Sequence, residues 1–173
     1  MMRFRTSVAA LAAFCATAAS SAPPKAPEPC LSRAEAVGFI SWAMPGLISG
    51  VVGRCRPLLP GDAYLTRSGD DLANRYRANS AAAWPTARSA IGKISGGSIP
   101  TTLGDDTVRT LAEAGITAAL TGKIKASHCG MVNRILEVLA PLPAANMSGL
   151  ITVLIEIGSR TKQNSNFTIC PDD

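Results

Sequence analysis

The sequence predicts an all-α fold, a small multi-helix bundle stabilised by two disulfides. Three observations carry this expectation. Apolar residues recur at three- and four-residue spacings, four cysteines follow a stretch with the order of an export signal, and no two segments match as partner strands. The elements follow in chain order.

Arg3 and Arg5 precede an uncharged run from Ser7 to Ala19, and the small residues Ser20, Ser21 and Ala22 come next. That is the layout of a secretory signal peptide over residues 1–22, with cleavage after Ala18, Ala19 or Ala22. Its apolar part spans roughly a dozen residues, short of the roughly 20 that a spanning helix requires. Cys15 lies at the end of this run, but bulky Phe14 stands where a lipid-accepting cysteine is normally preceded by a small residue. Residues 23–29 alternate proline with Lys25, Ala26 and Glu28, which favours an extended leader. Residues 30–173 are then expected to form one helical domain, since about 150 residues suffice for a single core.

Within that domain Ser32 and Glu35 have capping-box spacing, so a helix should start after Cys30. Its apolar positions, Val37 through Val52, are interrupted by Pro45 and Gly46, where a kink or turn is expected. Tyr64, Leu65, Leu72, Ala73 and Tyr76 share one stripe and predict a second helix. Pro85, just after Trp84, suits the first turn of a third helix reaching Ile94, which Gly96, Gly97 and Pro100 would end. Asp105 and Asp106 open the clearest amphipathic stretch, with Val108, Leu111, Ala112, Gly115 and Ala119 on one face. Another face runs from Met131 to Leu139, and its Leu136 is expected to share one core with Leu111. The last segment, Leu150 to Ile157, is favoured as helix, capped by Asn146, although its Val and Ile content would also suit a strand.

Cys30, Cys55, Cys129 and Cys170 are expected to form two disulfides in an oxidising compartment. No two of them have the close spacing of zinc ligands, so no metal ligand is assigned. A helical hairpin over Cys129 to Ser159 would return the chain near its start, from where the tail could bring Cys170 to Cys129. Cys30 would then pair with Cys55. One straight helix would hold those two over about 30 Å apart, beyond the roughly 4.4 to 6.8 Å of a disulfide, so this pairing demands a turn at Pro45. Crossed pairings would instead staple the first helix to the last.

No catalytic residue or cofactor is assigned. His128, the one histidine, neighbours Cys129, but consecutive helical side chains diverge by about 100 degrees and the cysteine is expected to be oxidised. No glycine-flanked serine elbow is present. Asp70 with Asp71 and Asp105 with Asp106 are explained by helix starts. Glu137 and Glu156 interrupt the two most apolar segments and read as solvent-facing strips, the alternative being buried acids of raised pKa. The glycosylation triplets at Asn146 and Asn166 carry no argument. Of the formal charge of +5, Arg3 and Arg5 leave with the signal, and no block of like charge remains. Aromatics make up 5% of the chain, too few for base-stacking platforms, so nucleic acid is not an expected partner.

Cys30 to Ala36, Leu59-Pro60 with Ala63 to Leu65, and Leu139 to Pro143 before an apolar helix together give a resemblance. The chain resembles uncharacterised small secreted proteins of alphaproteobacteria. The likeness spans most of the mature chain and rests on cysteines, turns and apolar faces, so it implies a fold and no activity. The leading expectation is a non-enzymatic secreted or periplasmic module that binds a protein partner or an apolar ligand, without a transmembrane helix in the mature chain. A saposin-like membrane-active protein and a cell-wall or glycan-processing enzyme are the alternatives.

Overall fold

In a computed structural model the expected helices form, but two of the expected breaks do not. The structure describes residues 30–97, 99–100, 102–161 and 168–170. The signal peptide and leader expected over residues 1–29 lie outside the described residues. The elements are β1 (Cys30–Leu31), α1 (Arg33–Cys55), α2 (Tyr64–Ile94), α3 (Asp105–Thr121), α4 (Cys129–Leu139), α5 (Ala144–Thr161) and β2 (Thr168–Ile169). The described residues are therefore all-α apart from the two-residue parallel pairing of β1 with β2.

The capping box forms as the spacing predicts. Ser32 Oγ accepts from the Glu35 amide at 3.2 Å, and the Ser32 amide donates to Glu35 Oε2 at 2.9 Å. From there α1 runs unbroken through Pro45 for 23 residues, so the expected turn is absent. Its packing explains why. The helices α1 and α2 lie antiparallel along their length, with Gly38 against Thr86 at one end and Val52 against Gly69 at the other. A turn at Pro45 would strip half of α1 from that surface. The approach is close enough that a Cβ on Gly69 would lie 2.5 Å from Val52 Cγ2, so only hydrogen fits there.

Likewise α2 passes through Pro85 as one 31-residue helix, and the separate third helix expected to start there is not observed. Pro85 and Ala81, whose carbonyl loses its partner, both face solvent, so water can replace the missing bond. Meanwhile Trp84 and Ala87 stay buried on the stripe begun by Leu65 and Leu72. Gly96 and Gly97 end the helix with φ of 67° and 76°, and the Gly97 amide bonds the Gly92 carbonyl at 2.7 Å.

The central element is α1, against which α2, α3 and α5 all pack. Ile40, Met44, Ile48 and Val52 of α1 meet Leu65, Leu72 and Tyr76 of α2 in the main core, sealed by Cys129 and Met147. Trp42 and Trp84, with ring centroids 5.1 Å apart, form a second cluster with Val108. Leu31, Ala36, Ala90 and Ile169 form a third. The expected common core of Leu111 and Leu136 is corrected by this arrangement. Leu136 packs on the main core, whereas α3 docks on α1 through Val108, Ala112 and Ile116 and leaves Leu111 60% exposed. By length and composition α1 could cross a membrane; here three helices cover it.

Two disulfides close the fold, and their pairing differs from the expected one. Cys30 bonds Cys170 and Cys55 bonds Cys129, not Cys129 with Cys170 and Cys30 with Cys55. The reason is the unbroken α1. A 23-residue helix is about 34 Å long, so it carries Cys30 and Cys55 to opposite ends of the bundle. Each then meets the partner available there: Cys170 beside the β1–β2 pairing, and Cys129 at the start of α4.

Candidate functional site

The residues that the sequence singles out for chemistry take structural places. His128 is exposed in a single 3-10 turn, while the adjacent Cys129 is buried and oxidised, so no thiolate faces the imidazole. Asp70 pairs with Arg56 at 2.7 Å, and Asp71 and Asp106 face solvent. Asp105 accepts from Trp84 Nε1 at 2.6 Å and lies 2.8 Å from Arg88 Nε, which locks the start of α3 onto α2. Glu137 is exposed, and Glu156 pairs with Arg33 at 2.8 Å. Asn146 lies inside the first turn of α5 and is not the residue before it. Among the described residues no three His, Cys, Asp or Glu side chains converge to hold a metal ion.

A groove between α2 and the start of α5 is a different matter. Its larger half, about 410 Å³, is lined by Tyr76, Asn79, Ala82 and Ala83 of α2, by Ala144, Ala145 and Ser148 of α5, and by Ser41 of α1. A smaller half of about 210 Å³ shares Tyr76, Asn79 and Ala144 and continues past Arg75 to the Pro141–Pro143 turn. Alanine side chains on both walls leave space that larger residues would fill. At its base Ser41 Oγ donates to Ser148 Oγ at 2.9 Å, and Ser148 Oγ donates to the Ala144 carbonyl at 3.1 Å.

Two polar groups lie beside this groove. Tyr76 is only 3% exposed, and its hydroxyl is buried without a hydrogen-bond partner. Burial pushes its phenol above the usual 10, so the group stays a neutral O–H. Leaving it unsatisfied costs about 1 to 3 kcal/mol. The first turn of α5 is the second feature. Its earliest helical bond is from the Met147 amide to the Pro143 carbonyl at 3.1 Å, so the amides of Ala144, Ala145 and Asn146 have no partner within the helix. Pro143 has no side-chain acceptor to cap them, and no acid stands in that turn.

The second notable surface is apolar. Among the described residues, eight of the twelve exposed large hydrophobic side chains lie from Met131 onward. Met131, Ile135, Val138 and Leu142 follow one line along α4 and its end, about 100 degrees round from Val132, Leu136 and Leu139, which pack inward. Leu150, Val153, Leu154 and Ile157 do the same on α5. The sequence signals for these surfaces differ. The α4 and α5 stripes are visible as apolar excess, more than one buried face can use. The groove has a fainter trace, the run Ala81 to Ala83 about one and a half to two turns beyond the stripe residue Tyr76.

No protein-family model matches the chain, and no curated protein or solved structure is significantly similar to it.

Proposed function

We propose that the chain is a secreted or periplasmic helical module that binds a protein partner through the outer faces of α4 and α5. The observation that carries this reading is the concentration of exposed apolar side chains on those two helices, with Val138 70% exposed. Monomeric proteins rarely leave such stripes open without a use for them. Arg134 and Glu137 put both signs of charge beside the α4 stripe, as in the polar rim of a protein interface. Two disulfides fit an oxidising compartment, and the order of residues 1–22 supports export as the route there.

A photo-crosslinking amino acid placed at Val138 or Leu154 in the producing cells tests this directly. One discrete protein adduct at both positions, absent when the probe replaces exposed Ala78, is the expected result. Lipid adducts at these positions, together with flotation of the purified protein on vesicles, would instead make it membrane-active like a saposin. No adduct at either position would overturn the reading.

A further inference from the structure

We propose that the partner on the α4 and α5 faces is a second copy of this chain, related by a two-fold axis that sets the two α4 helices antiparallel. This rests on the reading of those faces as a protein-binding surface and names what binds there. The α4 stripe carries Met131, Ile135, Val138 and Leu142, and the charged residues of the helix are Arg134 and Glu137. Both charges lie on the flank of the stripe turned away from Val132, Leu136 and Leu139, which pack inward. Both are exposed, and among the described residues neither has an ion-pair partner, although a spacing of three would let them reach each other.

A two-fold axis can bring the helices together antiparallel or parallel, and the charges choose between the two. In an antiparallel pair the same flank of each helix meets, and with Ile135 opposite Val138 of the second copy, Met131 falls opposite its Leu142. Arg134 of each copy then stands within two residues, about 3 Å along the axis, of Glu137 of the other. The flexible stem of the arginine spans that offset. A parallel pair would lay this flank against the other copy's inward flank, with Val132 and Leu139, and leave both charges unanswered. The face is thus self-complementary, as an isologous interface requires. Size agrees with this. Four side chains on α4 and its end and four on α5 expose apolar surface on the order of several hundred Å² per copy, the same order as the roughly 800 Å² that each partner buries in a standard interface. A lipid surface fits less well, because one Arg and one Glu cancel and α4 lacks the basic face that draws an interfacial helix to anionic lipid.

The experiment is sedimentation equilibrium of the oxidised, exported protein up to roughly 1 mM, where a concentration-dependent dimer is expected. Arg134→Glu and Glu137→Arg, each at an exposed position, should each weaken the dimer roughly tenfold or more, because like charges then face each other. An equimolar mixture of the two variants should regain the native affinity, since every contact is again Glu against Arg. Val138→Asp should give a monomer of unchanged thermal stability. In the producing cells, the crosslinking residue at Val138 should give an adduct of twice the chain's mass. The proposal is overturned by a native chain that stays monomeric, by single variants that dimerise as it does, by a mixture no tighter than either variant alone, or by a dimer that survives Val138→Asp. A monomer that crosslinks at Val138 to one different protein would overturn the second copy and leave the protein-partner reading standing, whereas the absence of any protein adduct would remove both.

Discussion

Glu35 draws contacts from three residues onto one side chain. It closes the capping box with Ser32, accepts from Ser89 Oγ at 2.9 Å and lies 2.6 Å from Lys93 Nζ. Burial alone would push its carboxyl up, but the hydrogen bonds from Lys93, the Ser32 amide and Ser89 outweigh it and hold the group down at about 2. A folded value below the ordinary 4.5 means that the contribution to stability is present above that pH and is lost as the pH falls toward 2. With only 14% of the side chain exposed, the shift corresponds to about 3 kcal/mol at most. Glu35→Gln should therefore lower stability near neutral pH by roughly 1 to 3 kcal/mol and flatten its decline between about pH 5 and pH 2. Urea denaturation across that range measures both, and an unchanged slope would show that the carboxylate is not held this way. The local half of this site is legible as Ser-x-x-Glu. Ser89 and Lys93, 54 and 58 residues away in sequence, meet Glu35 only because α2 folds back along α1.

At the scale of an element, apolar spacing reports which residues share a face, and proline reports a missing backbone bond. Neither says whether the helix ends. Pro45 and Pro85 both sit inside long helices because α1 and α2 bury matching stripes against each other over their full length, and breaking either would expose them. The burial of Leu72 and Tyr76 was legible for the same reason that the breaks were not: it depends on period alone. In α3, the stripe is right but its centre is not. Val108, Ala112 and Ile116 face α1, and Leu111 lies about 100 degrees round from Ala112. Leu72→Ala should cost about 2 to 5 kcal/mol, whereas Leu111→Ala should cost under about 0.5 kcal/mol. Chemical denaturation of the two variants checks the assignment, and a large loss at Leu111 would mean that α3 docks through its other flank.

Across the whole molecule the fold is an unbroken α1 packed against by α2, α3 and α5, with a disulfide at each of its ends. Those bonds close separations of 140 and 74 residues, and losing either should cost about 2 to 5 kcal/mol through the freedom returned to the unfolded chain. The even number of cysteines announces two bonds, but their pairing depends on whether α1 turns at Pro45, which local sequence leaves open. Connectivity therefore tests helix continuity, the shape of the core and the corrected pairing at once. Trypsin sites put each cysteine on its own peptide: Ala26 to Arg33, Cys55 to Arg67, Ala126 to Arg134 and Gln163 to Asp173. In a non-reducing digest, the fold predicts that the first peptide is linked to the fourth and the second to the third. A link joining Cys30 to Cys55, or Cys129 to Cys170, would contradict the unbroken central helix on which the account rests.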